Sequence, residues 1–230
     1  MEELLRQPNI VYKNDTYSPP QNFLGSQMTF KEICGFGIWT QHSQNYVKAA
    51  LPTIEEAIEH REYDMSMKAK TPFSTKYSPE LDTTPALDAD DTRLCQEWMG
   101  ILRWALKLGR IDINLEVSLI SSHVANPRRG YLKTISHIFA YLRRRNKLTI
   151  AFGSLHPAID EERFIACDWQ DFYPDTQEAI PSNLPKPRGK EISITCFVDA
   201  SHASNLKTRR SHTGILIVIN RAPILWYSRH

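Results

Sequence analysis

Asp199 closes an apolar run, Phe197, Val198, Asp199 and Ala200, and a carboxylate at the end of a strand is costly to bury unless something positive neutralises it. A divalent cation does this best, and a simple turn cap is the alternative for a single aspartate. A few residues further on, the segment KTRRSHTG sets Lys207, Arg209 and Arg210 beside Thr208, Ser211 and His212. Such donors suit the phosphates and 2′-hydroxyls of a nucleic acid, although a wet hairpin loop has the same composition. His202 and His212 have no carboxylate or cysteine at helical spacing to complete a metal site, and read as solvated. The third candidate is the segment 127–147, where Arg128, Arg129, Lys133, Arg143, Arg144, Arg145 and Lys147 occur with no acidic residue among them. These charges repel one another unless a polyanion is near, which makes nucleic acid the expected partner; a solvated helix face is the plainer alternative. Trp98, Trp104 and Tyr131 fall on or near apolar stripes and are expected in a core rather than as base-stacking platforms.

The elements that must position these groups follow from the periodicity. A short strand is expected near 22–30, and then a helix in NYVKAALPTIEEAIEHR, with Tyr46, Ala49, Ala50, Ile54 and Ile58 at near-helical spacing. Pro52 is expected to interrupt or kink it. Residues 68–92 carry Pro72, Pro79 and Pro85 with Glu80, Asp82, Asp88, Asp90 and Asp91, and read as an extended linker. Helix 92–108 follows, with Leu94, Trp98, Ile101, Leu102, Ala105 and Leu108 on one face and Gly109 at its end. Asp112 is expected to cap a second helix bearing Ile113, Val117, Ile120 and Val124, and Asn126-Pro127 to open a third that buries Tyr131, Ile135, Ile138, Phe139 and Leu142. Leu148–Phe152 reads as a strand. A second proline-bearing stretch, 154–190, holds Trp169, Phe172 and Tyr173, and ISITCFVDA, GILIVIN and PILWYS then read as a three-strand meander. The class is α+β.

Bulk properties constrain the function classes only loosely. A length of 230 residues allows one large or two small domains, and a formal charge of +2 is too small to argue for a partner without clustering. Cys34, Cys95, Cys167 and Cys196 form no CxxC pair, so neither a zinc site nor a disulfide framework is suggested. No apolar run approaches the roughly 20 residues that span a bilayer, and the start MEELLRQ is unlike a signal peptide. An intracellular, soluble protein is the expectation.

In order and wording these segments resemble the polymerases of copia-type retrotransposons over nearly the whole chain. NFLGSQM resembles the family's Tyr-Leu-Gly strand beyond the polymerase aspartates, IWTQHSQNYVKAAL the segment leading into the next helix, and MKAKTPFS the proline-containing connection. The three helices resemble the family's "LVG, RPDI, NP, RILRYL" pattern, most clearly at Arg110-Ile111-Asp112-Ile113 and Asn126-Pro127. ITCFVDASHASNLKTRRSHTG resembles the opening of the family's ribonuclease H, with its strand-ending aspartate and RRS-x-x-G loop. The resemblance implies the end of a reverse-transcriptase palm and thumb at 1–67, a linker at 68–92, connection helices at 93–152, a second linker at 153–190 and the first three strands of an incomplete ribonuclease H-like fold at 191–230. It implies Asp199 as a remnant catalytic ligand of paired Mg²⁺ ions, and Arg209, Arg210 and Ser211 as structural or substrate-contacting loop residues; on charge alone, Lys207 and Arg128, Arg129, Lys133, Arg143, Arg144 and Arg145 are expected to join them in binding nucleic acid.

The family's Tyr-x-Asp-Asp motif does not occur here, and Ser201 stands after Ala200 where a second acidic residue is common. The expectation is a polyprotein piece whose parent synthesises DNA on RNA and cleaves RNA in RNA–DNA hybrids. By itself the chain is expected to be inactive and to hold no Mg²⁺ tightly, with the hybrid and the flanking polyprotein as partners. A nucleic-acid-binding protein adopted by its host without catalysis, and a non-binding α+β scaffold, are the competing readings. A three-strand sheet also leaves an unpaired edge and an uncovered apolar face, so the end of the chain is expected to be sticky.

Overall fold

The structure, a computed structural model, describes residues 21–61, 69–73, 77–156, 171–174, 181–186, 189 and 191–229. The turn expected at 17–20, Cys167 and Trp169 lie outside them. The chain is α+β with two antiparallel sheets. In the first, β1 (Asn22–Phe23), β2 (Ser26–Ile33), β3 (Phe36–His42) and β4 (Ile150–Phe152) are neighbours in that order. The sequence suggested only one strand in this region. Leu24-Gly25 and Cys34-Gly35, all at positive φ (51°, 98°, 53° and 77°), supply the two-residue turns whose twist suits a hairpin. Thr29 and Thr40 face each other with their Oγ1 atoms 2.8 Å apart, and Phe30 packs on Trp39, which helps fix the register.

Helix α1 (Gln44–Glu59) runs through Pro52 without interruption. Pro52 and Lys48, whose carbonyl loses its donor, are both exposed, so water can satisfy that carbonyl. The buried stripe is Val47, Leu51, Ile54 and Ile58. It is shifted from the expected Tyr46, Ala49 and Ala50 because the larger side chains at this spacing bury more apolar area.

Three further helices complete the core: α2 (Ala89–Lys107), α3 (Asn114–Ser121) and α4 (Arg129–Arg144). Helix α2 begins three residues earlier than expected because Asp88 caps it, its Oδ1 accepting the Asp91 N–H at 2.8 Å. Trp98, Leu102 and Ala105 are buried as expected, together with Cys95 and Met99. Helix α4 lies in the middle of the core and buries all five residues expected of it, Tyr131, Ile135, Ile138, Phe139 and Leu142. Trp98 and Phe139 meet edge-on with centroids 6.0 Å apart, a contact worth about 1 kcal/mol beyond its buried area. Trp104 departs from expectation: it is exposed.

The second sheet is the expected meander, β5 (Ile194–Ala200), β6 (Thr213–Ile219) and β7 (Ala222–Arg229), each paired with the next. Its β7 side is fastened to the helices. Ser118 Oγ of α3 donates to the Ser228 carbonyl at 2.7 Å, and Trp226 Nε1 donates to the Leu106 carbonyl at 3.2 Å. Strand β5 is the outer strand, and Ile194, Phe197 and Val198 on it remain exposed. Among the described residues no helix is long and apolar enough to cross a membrane.

Candidate nucleic-acid interface and the cleft beside Asp199

The seven cations of 127–147 do not form one patch. Helix α4 has 16 residues and is about 24 Å long at 1.5 Å per residue, well beyond the roughly 8–10 Å over which exposed charges interact in salt. Arg128, Arg129 and Lys133 therefore act at one end, and Arg143, Arg144, Arg145 and Lys147 at the other. The second group sits where the helix carbonyls point and is favoured by the helix dipole. One of its members is already paired, since Arg143 reaches Glu55 Oε1 of α1 at 3.0 Å.

The first group opposes the dipole, and the opposing charge comes from residues 79–84. Far from being an extended linker, the described part of this stretch is a packed strap. A 3-10 turn at Pro79–Leu81 places the Pro79 carbonyl to accept from Tyr131 Oη at 3.0 Å. Asp82 Oδ1 accepts from the Thr84 N–H (2.8 Å) and hydroxyl (2.6 Å), while Oδ2 accepts from Tyr77 Oη at 3.2 Å. Thr84 Oγ1 in turn accepts the Gly130 N–H at 2.9 Å, and Arg128 donates to the Thr84 carbonyl at 2.6 Å. A Cβ built on Gly130 would collide with the Asp82 carboxylate, so only glycine allows the strap to sit this close. Burial raises the Tyr77 phenol well above its usual range. Arg129 and Lys133 stay exposed beside the strap.

The loop after β5 is ordered around a buried asparagine. Asn205 Oδ1 accepts the Lys207 and Thr208 N–H groups at 3.1 and 2.7 Å, and its backbone exchanges bonds with Arg209 and Arg210. Lys207, Arg209 and Arg210 are thereby held outward and exposed, Arg209 at a positive φ of 57°. Ser211 Oγ accepts the Ala203 N–H at 3.2 Å and so stabilises the loop. His202 is exposed as expected, but His212 is buried. Its Nε2 lies 2.5 Å from Ser228 Oγ and its N–H donates to Ser201 Oγ, which pins the loop to β7. The loop also touches the strap, because the Leu206 N–H donates to Glu80 Oε1 at 3.1 Å.

Asp199 pairs with Gly214 and is exposed. Strand alternation puts it on the same face as Phe197, and the register sets Phe197, Leu216 and Trp226 in one cross-strand row and Asp199, Gly214 and Ser228 in the next. This face looks across a cleft of about 840 Å³ at α3, the Pro79 turn and the loop after β5. Among the described residues no three His, Cys, Asp or Glu side chains form a group that could hold a metal ion.

Sequence reasoning missed the ion pair of Arg110 and Asp112. Asp112 does not cap α3; it accepts from Arg110 Nε and Nη2 at 2.9 and 2.6 Å. The guanidinium is buried and lies 5.8 Å from the Tyr141 ring centroid. Burial first, and then the bond with Asp112, pushes the Tyr141 phenol up to about 12. The signal was present in the opposite charges two residues apart in a turn too short to be a helix.

With this geometry in view, comparison with known proteins returns nothing: no family model, no curated protein and no solved structure matches the chain.

Proposed function

We propose that this chain is a part of a copia-type retrotransposon polyprotein that grips nucleic acid, in the first place an RNA–DNA hybrid, through its phosphates, and that it cleaves nothing by itself. The observation that carries the reading is the pair of anchors on the strap. Glu80 holds the loop of Lys207, Arg209 and Arg210, and Thr84, four residues away, holds the α4 end that bears Arg129 and Lys133. Four residues of chain span at most about 14 Å, so the two anchors lie well within one turn of a duplex, about 34 Å. None of the ion pairs among the described residues uses any of these five cations. They are available to a polyanion.

Arg144 and Arg145 add a second basic end about 24 Å away, which suits a backbone crossing the far side of the same groove. Arg128 and Arg143 have a different part, since each is engaged with a protein oxygen and positions its neighbours. Asp199 stands on the cleft wall. The test is a labelled RNA–DNA hybrid titrated with the whole chain in Mg²⁺, followed on a denaturing gel. Saturable binding with uncut RNA supports the proposal; no binding in low salt, or cut RNA, contradicts it.

A further inference from the structure

The cleft beside Asp199 has a character opposite to that of the basic surface. Its walls are apolar, with Leu115 and Leu119 of α3 facing Phe197, Leu216 and Trp226 of the meander. Leu115 and Phe197 remain 49% and 45% exposed, so their apolar surface is open to a ligand. Among the described residues no lysine or arginine lines it, whereas four carboxylates do: Glu80, Asp112, Glu116 and Asp199. Two of these are occupied, Asp112 by Arg110 and Glu80 by the Leu206 N–H. Glu116 on α3 and Asp199 on β5 remain, and they come from different walls of the same cleft. Burial raises the Glu116 carboxyl above its usual range, with the nearby Asp112 charge adding to the effect. A neighbouring cation would relieve both.

We propose that this cleft binds a small organic cation with an apolar body, its charge between Glu116 and Asp199 and its body against Leu119, Phe197 and Trp226. The volume falls within the roughly 300–1,000 Å³ typical of small-molecule sites. Charge decides the ligand class, since a phosphate or carboxylate entering here meets Glu80, Glu116 and Asp199 and, among the described lining residues, no basic side chain but His212. The cleft shares Glu80 and the loop after β5 with the basic surface but presents the opposite charge.

The probe is berberine, a planar aromatic cation whose emission rises on leaving water, with the apolar anion anilinonaphthalene sulfonate as its opposite. Both are titrated into the whole chain. The expected result is saturable binding of berberine at one site and much weaker binding of the anion. E116Q and D199N each reduce berberine affinity by about twofold to fivefold, the range of a partly exposed charge pair. E97Q, on an exposed face of α2 away from the cleft, leaves it unchanged. Circular dichroism checks that the variants are folded, and E116K, which adds a cation at the same place, reverses the preference between the two probes. Equal binding of both probes, an E97Q effect as large as that of E116Q, or no saturable berberine binding would overturn the proposal.

Discussion

Arg110 and Asp112 stand two residues apart and close on each other through two bonds, 2.9 and 2.6 Å, with the arginine side chain only 2% exposed. The pair forms at the turn between α2 and α3 and carries Tyr141 of α4 against it. Three of the four core helices are thus tied by one guanidinium. Replacing Asp112 by Asn leaves a buried arginine without its counter-charge, an arrangement that costs about 3–5 kcal/mol when a buried pair is broken. Chemical denaturation of D112N is expected to show a loss of this order. A change below about 1 kcal/mol would mean that water reaches the pair.

Gly130 and the strap give a second prediction. In G130A the methyl group meets the Asp82 carboxylate, and the strap must lift from the α4 end. A loss of about 1–3 kcal/mol is expected, as for other overpacked sites. If the collision is the cause, D82A combined with G130A costs less than the sum of the two single changes, which a double-mutant cycle measures.

These two sites also show what the sequence made legible. Helix α4 was readable because Tyr131, Ile135, Ile138, Phe139 and Leu142 repeat at one face, and the meander because its strands are short, apolar and separated by turn residues. The strap was not, since its order comes from contacts with residues some 50 positions away, such as Pro79 with Tyr131, and no local pattern encodes them. For the same reason, the partners of the seven cations at 127–147 were not readable. The helix separates them into two ends, and Glu55 and Thr84, remote in sequence, engage Arg143 and Arg128. Asp199 was legible as the end of a strand; that Glu116 shares its cleft was not, because α3 is brought there by tertiary packing alone.

Glu116 yields a pH dependence. Its carboxyl is raised in the folded chain, so the folded state binds this proton more tightly than the unfolded state does. Stability from this group is fully present below the ordinary carboxylate range and is lost as the pH rises through the raised value. E116Q removes the loss, and is expected to melt higher than the parent chain at pH 7, with the gap closing on acidification. A gap that grows as the pH falls would contradict the sign.

The α2 cap is a simpler case. D88A removes the acceptor for the Asp91 N–H and is expected to cost about 1 kcal/mol, with fraying confined to the first turn in amide exchange.

The central claim is that Lys207, Arg209 and Arg210, with Arg129 and Lys133, hold nucleic-acid phosphates. The most direct measurement is the salt dependence of RNA–DNA hybrid binding for the parent chain and for the variant K207A/R209A/R210A. Each lost phosphate contact lowers the slope of log affinity against log salt by about 1. The account predicts a slope reduced by about 2–3, together with weaker binding that is indifferent to sequence. An unchanged slope, or a parent chain whose affinity does not fall with salt, would contradict it.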